Sequence, residues 1–269
     1  MNIVIPMAGA GQRFAEAGYK VSKPVIPVID RRSGKEYPMV ICATMDLPGL
    51  KAKGANLIYI DRTFHKDNGV EETIRNHYPK ASFITVNSLT EGQACTCLLA
   101  RAMIDNEQPL FIAGCDNGMV FDPVEFEALT KQCDVIAFTY SHDDSVLDNP
   151  DAYGWYIPDE EGKIQTVSIK KAVSDTPTND HAVVASFWFR RGNIFVEAAE
   201  KMIRENDRIN GEFYVDQVLK HALELGYDCR IFDIERYIGW GTPVDYENYM
   251  ATVRYWRAFV TDKRFIPED

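Results

Sequence analysis

Short apolar runs rich in Val, Ile, Leu and Phe recur through the first 140 residues, and segments with helical spacing of apolar positions lie between them. Continuous apolar runs of this length are typical of strands that are buried on both faces of a sheet. The predicted strands cover residues 2–6, 57–61, 83–86, 110–113 and 135–140, and the predicted helices cover residues 38–45, 69–77, 93–104 and 123–132. This alternation predicts an α/β fold of three layers, with a mostly parallel, Rossmann-like sheet between two layers of helices.

The second half of the chain has a different pattern, in which several strands follow one another before helices resume. Residues 155–157, 164–169 and 183–189 are predicted strands, and residues 193–205, 214–225 and 246–260 are predicted helices. No internal repeat, low-complexity segment or flexible linker divides the sequence. We therefore expect a single domain over residues 1–269, with a mixed sheet and insertions in the half that begins at residue 141.

Composition and charge exclude several classes of partner. The chain of 269 residues has a formal net charge of −11 and no basic block that could attract a nucleic-acid backbone. Its six cysteines lack a metal-binding or redox spacing, which favours buried thiols in a reducing compartment. We find no signal-peptide pattern and no apolar stretch long enough to span a membrane. We therefore expect a cytoplasmic protein without nucleic-acid or membrane partners, and a homo-oligomer is compatible with the sequence.

A glycine-containing turn follows the first predicted strand directly. It runs from Pro6 through Gly9 and Gly11 to Phe14. Ligands of open α/β sheets bind at the carboxyl ends of strands, and glycines let backbone N–H groups approach phosphate oxygens closely. The spacing matches neither the dinucleotide-binding motif nor the P-loop, so the turn alone indicates only a phosphate site.

The continuation of this turn narrows the prediction. Gly9-x-Gly11-x-Arg13-Phe14 is followed nine residues later by Lys23-Pro24. This combination resembles the signature of the sugar-phosphate nucleotidylyltransferases, or NDP-sugar pyrophosphorylases, which have a GT-A-like fold. The resemblance implies that the loop holds a nucleoside triphosphate, that Arg13 braces the leaving pyrophosphate and that Lys23 contacts the phosphates. The loop residues assigned to nucleotide binding are Met7, Ala8, Gly9, Ala10, Gly11 and Gln12.

Two later segments match the same family in the same order. Gly92 and Gln93 open a predicted helix, and the resemblance implies that they read the nucleotide base, since the Gln93 amide can both donate and accept hydrogen bonds. Asp116 follows an apolar strand and is the Mg²⁺ ligand that the resemblance implies. A hard divalent cation prefers carboxylate oxygen and can bridge charged phosphates. The predicted catalytic residues are Arg13, Lys23 and Asp116.

The chain departs from the family pattern near its C-terminal Gly-Thr pair. Gly239 stands two residues before Gly241, where many members of the family carry a second metal-binding aspartate. Either Asp116 holds the metal mainly with substrate phosphates and water, or Asp245 or Asp216 supplies a second carboxylate. Loss of metal catalysis is a further alternative.

The predicted acceptor site lies in residues 141–269, while residues 1–140 form the predicted nucleotide-binding half. By resemblance Lys171 meets the acceptor phosphate, but Lys170 stands where a glutamate would accept hydrogen bonds from sugar hydroxyls, which an ammonium cannot do. Ser186 stands where the family usually has a glycine. These departures argue against glucose 1-phosphate and favour a smaller or more acidic phosphorylated acceptor. The residues assigned to acceptor binding are Gly154, Lys170, Lys171, Glu212 and Trp240.

Together these motifs predict a Mg²⁺-dependent nucleotidyltransferase that joins an NTP to a sugar phosphate or small phosphorylated alcohol and releases pyrophosphate. Such reactions supply nucleotide-sugar and capsule or cell-surface polysaccharide biosynthesis. The sequence does not identify the base of the NTP, and the candidates are CTP, UTP, dTTP and others. One alternative is a GT-A-type glycosyltransferase, although these usually carry Asp-x-Asp at the strand end, where this chain has Asp116-Asn117-Gly118. The other is a non-catalytic nucleotide-sensing homologue, which Gly239 favours.

Overall fold

The computed structural model describes residues 1–50 and 54–261. Within them lie the strands β1 (Asn2–Pro6), β2 (Pro27–Ile29), β3 (Glu36–Pro38), β4 (Asn56–Arg62), β5 (Ser82–Val86), β6 (Leu110–Ile112), β7 (Asn117–Val120), β8 (Val135–Tyr140), β9 (Gly154–Pro158), β10 (Ile164–Ile169), β11 (His181–Phe189), β12 (Cys229–Asp233) and β13 (Arg236–Gly239). The α-helices are α1 (Gln12–Glu16), α2 (Met39–Met45), α3 (Thr63–Asp67), α4 (Val70–His77), α5 (Gln93–Leu98), α6 (Arg101–Ile104), α7 (Pro123–Leu129), α8 (Gly192–Arg204), α9 (Val215–Glu224) and α10 (Pro243–Thr261). None of these helices is long and apolar enough to cross a membrane.

A nine-stranded mixed sheet forms the centre of the fold. Seven of its strands lie in the order β10-β9-β11-β6-β1-β4-β5, and β8 and β12 extend the sheet from β11. Strand β1 pairs in parallel with β4 and β6, and β4 with β5, so the first half of the chain contributes a parallel block. The long strand β11 runs antiparallel to β6, β8 and β9 and joins the second half to that block. The predicted α/β fold with a mixed, mostly parallel sheet is confirmed.

Alternate residues of β1 face opposite layers of helices. Val4 belongs to one hydrophobic cluster, which includes Phe195 of α8 and further residues of α5 and α9. Ile3 and Ile5 belong to another cluster, which includes Phe126 of α7 and residues of α2 and α4. Because side chains alternate along a strand, burial of all five β1 residues requires helices on both faces. The sheet is therefore the middle of three layers, as the apolar runs predict.

Most predicted elements are present, with ends displaced by up to three residues. The single helix predicted over residues 93–104 is wrong, because α5 ends at Leu98 and α6 begins at Arg101. Between them the N–H groups of Leu99 and Ala100 donate to carbonyls three residues back, at 3.1 and 3.0 Å, which is a 3₁₀ turn. The prediction also misses the short elements α1, α3, β2, β3, β7, β12 and β13.

A buried carboxylate joins α2 to the turn of the β2–β3 hairpin and to β7. The Asp46 side chain is 1% exposed and accepts from the Arg31 guanidinium at 2.8 and 3.1 Å, and its Oδ1 lies 2.8 Å from Arg32 Nη2. The backbone N–H of Met119 donates to Asp46 Oδ2 at 3.0 Å. Gly118 leaves room for this carboxylate, since an added Cβ would lie 2.7 Å from it. The cluster thus fixes β7 against the body of the fold.

We expect Asp46→Ala to lower the free energy of unfolding by about 3 kcal/mol, because it leaves the partly buried Arg31 guanidinium and the buried N–H group of Met119 without their acceptor. Asp105→Ala is the matched control: it removes the exposed ion pair with Arg101 and should cost less than about 1 kcal/mol. Urea unfolding followed by circular dichroism measures both changes. Equal losses in the two variants would contradict the anchoring role of Asp46.

Strand β4 carries a second buried carboxylate, which has no partner. Asp61 is 0% exposed, and neither of its side-chain oxygens accepts a hydrogen bond from any described residue. Burial raises the pKa of Asp61 to about 6, and repulsion from Glu71 adds to the increase. Ionisation of this carboxyl at neutral pH therefore opposes folding.

Because the folded-state pKa of Asp61 lies above its ordinary value, the protonated form favours the folded state at low pH. The penalty appears as the pH rises through about 6. We expect Asp61→Asn to raise the free energy of unfolding by about 2 kcal/mol at pH 8 and to give no gain near pH 4. Urea unfolding at both pH values measures the difference, with the exposed Asp67→Asn as control. A gain that did not depend on pH would refute the explanation.

Candidate active site

A cleft of about 860 Å³ opens where β1 ends. Twelve of the residues singled out in the sequence line it: Met7, Ala8, Gly9, Ala10, Gly11, Gln12, Arg13, Lys23, Gly92, Gln93, Asp116 and Glu212. They come from four distant segments of the chain, so the fold rather than local sequence brings them together. All residues predicted for nucleotide binding and catalysis thus surround one cleft, while their roles stay predictions.

The glycine turn has one constrained and one open position. Gly11 has a left-handed backbone, with φ at +62°, and its carbonyl accepts from the N–H groups of Phe14 and Ala15 at 3.1 and 3.3 Å. This conformation suits glycine and starts α1. Phe14 is 2% exposed and packs into a small core cluster with Trp240. A Cβ at Gly9 would meet nothing within 4 Å, so the surface of the turn is open to a ligand.

Two polar side chains in the cleft have no partner among the described residues. Arg13 is exposed and makes neither an ion pair nor a hydrogen bond there. Gln93 is the first residue of α5, and its amide makes no hydrogen bond with the described residues. A guanidinium and an amide without partners at the carboxyl edge of a sheet can both bind a polar, anionic ligand.

An ion pair within the cleft connects three segments of the chain. Lys23 Nζ lies 2.5 Å from Asp116 Oδ2 and donates to the Gly241 carbonyl at 3.0 Å. The two side chains are 17% and 32% exposed, so the pair is partly shielded from water. The same ammonium lies 5.3 Å from the centre of the Phe14 ring, within the range of a cation–π contact. Lys23 is therefore held in a fixed position at the surface of the cleft.

The backbone of Asp116 is fixed by the small sheet of β7 and β13. The carbonyl of Asp116 accepts from the N–H of Trp240 at 2.9 Å, and Asn117 pairs with Gly239 in the antiparallel ladder. A Cβ at Gly239 would lie 3.0 Å from the Tyr237 ring, which stacks on Tyr140 with centroids 4.5 Å apart. That ring therefore fills the space beside Gly239, where the sequence lacks the second carboxylate.

Neither candidate for a second metal ligand joins Asp116 in a cluster. Among the described residues, Asp116 belongs to no group of three or more His, Cys, Asp or Glu ligands. Asp245 is exposed in the first turn of α10, and its Oδ2 accepts from Thr242 Oγ1 at 2.6 Å, while its N–H donates to the same hydroxyl at 3.2 Å. Burial raises the pKa of Asp216, and the Lys170 ammonium opposes that increase. Asp216 and Asp245 both lie outside the lining of the cleft.

Of the five predicted acceptor residues, Glu212, Lys170 and Gly154 lie around the start of α9. Glu212 is exposed at the cleft, next to Tyr214, which also lines it. The Lys170 ammonium lies 5.8 Å from the centre of the Tyr214 ring and donates to the Ala152 carbonyl. Lys170 also has a left-handed backbone, with φ at +58°. Lys171 is exposed and outside the cleft lining.

Three further predicted positions lie inside the protein. A Cβ at Gly154 would lie 2.7 Å from Asp216 Oδ2, so this glycine leaves room for the partly buried carboxylate of Asp216. Trp240 is 1% exposed and does not line the cleft, whereas its neighbour Gly241 does. Ser186 is buried, and the left-handed backbone that favours glycine falls instead on Ala185, which lines the cleft with φ at +58°.

Five other residues of the cleft were not assigned to the site from the sequence, although Leu89, Tyr214 and Gly241 lie within segments that match the family: Lys20, Leu89, Ala185, Tyr214 and Gly241. The sequence contains a signal for Gly241, since it belongs to the Gly-Thr pair. No sequence signal indicates the left-handed backbone at Ala185, because alanine does not favour that conformation. Tyr214 reads as an ordinary residue at the start of a helix.

Comparisons with known proteins identify the fold. No protein-family model matches the sequence, and a search of curated proteins finds no match. Among solved structures, the nucleoside-diphosphate-sugar pyrophosphorylase from Vibrio cholerae RC9 aligns with a TM-score of 0.73 and 18% identity, over 93% of this chain and 99% of that one. The chain has the fold of the sugar nucleotidyltransferases.

Two further structures share this nucleotidyltransferase fold. A UDP-glucose pyrophosphorylase complexed with UDP-glucose aligns with a TM-score of 0.63 and 18% identity, over 96% of this chain and 98% of that one. The inositol-1-phosphate CTP transferase from T. maritima aligns with a TM-score of 0.64 and 15% identity, over 94% and 96%. The likeness extends over the whole of each neighbour, and the GT-A-like fold implied by the glycine turn agrees with it.

Gly92 is the point where two segments of the cleft touch. An added Cβ would lie 2.5 Å from both the N and O atoms of Phe213, and φ at Gly92 is +130°. The Phe213 backbone bonds to both sides of this glycine, donating to Glu91 O and accepting from Ala94 N, each at 2.9 Å. Only a residue without a side chain allows this approach, which brings Gln93 beside the start of α9.

We expect Gly92→Ala to lower the free energy of unfolding by at least about 2 kcal/mol more than Gly69→Ala does. Both glycines have positive φ, but a Cβ at Gly69 would meet nothing within 4 Å, so that variant measures backbone strain alone. Urea unfolding of the two variants gives the difference. Equal destabilisation would show that the contact with Phe213 is not limiting.

Proposed function

We propose that the chain transfers a nucleotidyl group from a nucleoside triphosphate to the phosphate of a small phosphorylated acceptor and releases pyrophosphate. The observation that carries this proposal is the contact between Lys23 Nζ and Asp116 Oδ2, at 2.5 Å, in the cleft formed by the glycine turn. It combines a fixed ammonium, a carboxylate and open backbone N–H groups, which suit a polyphosphate. The names of the structural neighbours, two pyrophosphorylases and a CTP transferase, support the same class of reaction.

The chemistry is a direct displacement at phosphorus. An oxygen of the acceptor phosphate forms a bond to the α-phosphorus of the NTP, the bond from the α-phosphorus to the α–β bridging oxygen breaks, and pyrophosphate leaves with the electron pair. Arg13 and the N–H groups of the turn bind the departing negative charge, and Lys23 holds the donor phosphates. No protein nucleophile is required, because positioning and charge neutralisation lower the barrier.

The donor atoms around Asp116 fit Mg²⁺. Protein sites commonly hold this ion through one or two carboxylates, with substrate phosphates and water completing its shell. The Asp116 side chain is 32% exposed toward the cleft, so one carboxylate is available for such a shell. When bound, the ion would neutralise phosphate charge. Lys23 orients the same carboxylate through its contact with Oδ2.

The acceptor binds, in this proposal, between the end of β10 and the start of α9. Lys171 binds its phosphate, Glu212 faces its polar groups, and Lys170 favours an acceptor smaller or more acidic than glucose 1-phosphate. Residues 1–140 then form the donor half and residues 141–269 the acceptor half of one domain. A cytoplasmic location is supported by the cysteines, which are all free.

The decisive experiment measures pyrophosphate release from ATP, GTP, CTP, UTP and dTTP, each with Mg²⁺ and a panel of sugar phosphates and small alcohol phosphates. We expect turnover with one base and a narrow set of acceptors. The close contact between Tyr237 and Gly239 favours a second candidate, a nucleotide-sensing protein that binds without turnover. A thermal shift with an NTP but no pyrophosphate from any pair would support that candidate instead.

We expect Lys23→Ala and Asp116→Ala each to lower kcat by about 10²–10³, because each removes a charge that acts on the phosphates. Lys131→Ala and Asp148→Ala are matched controls, since both side chains are exposed and outside the cleft. Initial rates of pyrophosphate release measure the effect, with circular dichroism to verify folding. Near-normal turnover in folded Lys23→Ala and Asp116→Ala would mean that the site is wrongly assigned.

A further inference from the structure

The C-terminal turns of α8 and α9 bring a histidine and two glutamates together outside the cleft. His221 is 0% exposed, and its Nδ1 lies 3.4 Å from Glu205 Oε2 and 3.5 Å from Glu224 Oε2. The other ring nitrogen, Nε2, lies 3.0 Å from Asp207 Oδ2. The three potential ligand atoms of His221, Glu205 and Glu224 lie within 4.8 Å of one another.

The hydrogen bonds of Asp207 decide which nitrogen of His221 carries its proton. Asp207 Oδ2 also accepts from Lys220 Nζ at 2.6 Å and from Gln217 Nε2 at 2.9 Å. A carboxylate with these donors is an acceptor, so His221 Nε2 carries the hydrogen that points at it. In the neutral ring, Nδ1 then has a lone pair directed at two carboxylate oxygens. The Lys201 ammonium contacts both carboxylates, but no described residue forms a hydrogen bond with Nδ1, so a cation that bound all three atoms would complete the arrangement.

A proton on Nδ1 does not satisfy this arrangement well. Good N–H···O hydrogen bonds span about 2.7–3.2 Å, and both separations from Nδ1 exceed that range. No described residue forms a hydrogen bond with the buried Nδ1. A metal ion fits better: ligand bonds of about 2.0–2.2 Å at tetrahedral angles put neighbouring ligand atoms about 3.4 Å apart. The distances from Nδ1 to the two glutamates agree with this separation.

We propose that His221, Glu205 and Glu224 form a site for a divalent transition metal of the zinc type, separate from the nucleotide cleft. Imidazole and carboxylate ligands at tetrahedral spacing suit Zn²⁺, whereas Mg²⁺ prefers six oxygen ligands. Asp207 supplies the carboxylate that orients a metal-bound histidine through its second nitrogen. None of these residues lines the cleft.

Lys201 holds the two glutamates in the metal-free protein. Its Nζ donates to Glu205 Oε1 at 2.7 Å and also contacts Glu224 Oε2. The ammonium binds the far oxygen of Glu205 and leaves Oε2 facing His221. Since Lys201 and the metal compete for Glu224, removal of this lysine should strengthen metal binding. If these residues form only a structural ion-pair cluster, removal of Lys201 should not strengthen metal binding.

The bound metal would join the end of α8 to the end of α9. Helix α9 begins next to Tyr214 at the cleft, and His221 lies seven residues further along, roughly 10 Å of helix. A metal at this position would therefore stabilise the helix whose start forms part of the cleft.

The test is calorimetric titration of ZnCl₂ into the full chain after treatment with EDTA, in the Asp116→Asn background to remove the other predicted cation site. We expect one Zn²⁺ per chain, with affinity at least about tenfold weaker in Glu205→Gln and His221→Gln. Lys201→Met should bind more tightly. Co²⁺ in place of Zn²⁺ should give the visible absorption of a tetrahedral ion, lost in the same two variants.

Two controls isolate the site from general charge effects. Arg204→Met removes one positive charge from the end of the same helix, and His77→Gln removes an exposed histidine; both should leave zinc affinity unchanged. Glu205 is half-exposed, so Glu205→Gln keeps the test valid if His221→Gln does not fold. The proposal fails if neither the parent chain nor Lys201→Met binds zinc, if Glu205→Gln binds normally, or if Arg204→Met gains as much affinity as Lys201→Met.

Discussion

The arrangement of the cleft depends on the contact between Lys23 and Asp116. A partly shielded ion pair stabilises the fold only when both groups are held in place, because the cost of desolvation offsets much of their attraction. Lys23 follows the glycine turn, Asp116 follows β6, and the Gly241 carbonyl that completes the contact precedes α10. This one ammonium therefore links three segments that are far apart in sequence.

The surroundings of the pair keep it in position. Beneath the turn, Phe14 and Trp240 pack in the same apolar cluster, so the loop and the Gly-Thr segment share a support. On the other side, Asp46 holds β7 by its bonds with Met119 and with the Arg31 guanidinium. Both supports lie in contacts between distant residues. The geometry of the site is thus a property of the tertiary fold, although its residues are visible as motifs.

The sequence predicts those parts of the fold whose signal is local. Strands buried on both faces are continuous apolar runs, so β1 and β8 were assignable to the residue. Strand β7 is four residues long and contains Gly118, and it exists because β13 pairs with it across more than a hundred residues. Nothing in a four-residue segment encodes that partner. The 3₁₀ turn between α5 and α6 was also unpredictable, because all of its residues are compatible with a continuous helix.

The features of the site also divide into those that local sequence predicts and those that tertiary contacts determine. The glycine turn and the strand end at Asp116 were predictable, because each is a motif of residues that are contiguous in the sequence and follow an apolar strand. The contact between Lys23 and Asp116 was not predictable, because the family resemblance implied separate partners for them, a phosphate for Lys23 and a metal for Asp116. The left-handed conformations of Ala185 and Lys170 were also unpredictable, because both residues ordinarily avoid that region. Tertiary contacts decide these positions.

In the proposed function, acceptor recognition follows from the same contrast. On the proposed donor side, the left-handed backbone of Gly11 and the contacts of Lys23 with Asp116 and Gly241 define the surface. On the acceptor side, Lys170 has a strained backbone and is held by the Ala152 carbonyl and the Tyr214 ring. Its charge is partly balanced by Asp216, which lies partly buried against Gly154. Lys171 has no ion pair among the described residues and is the more available cation, so in the proposed function it is the residue that meets the acceptor phosphate.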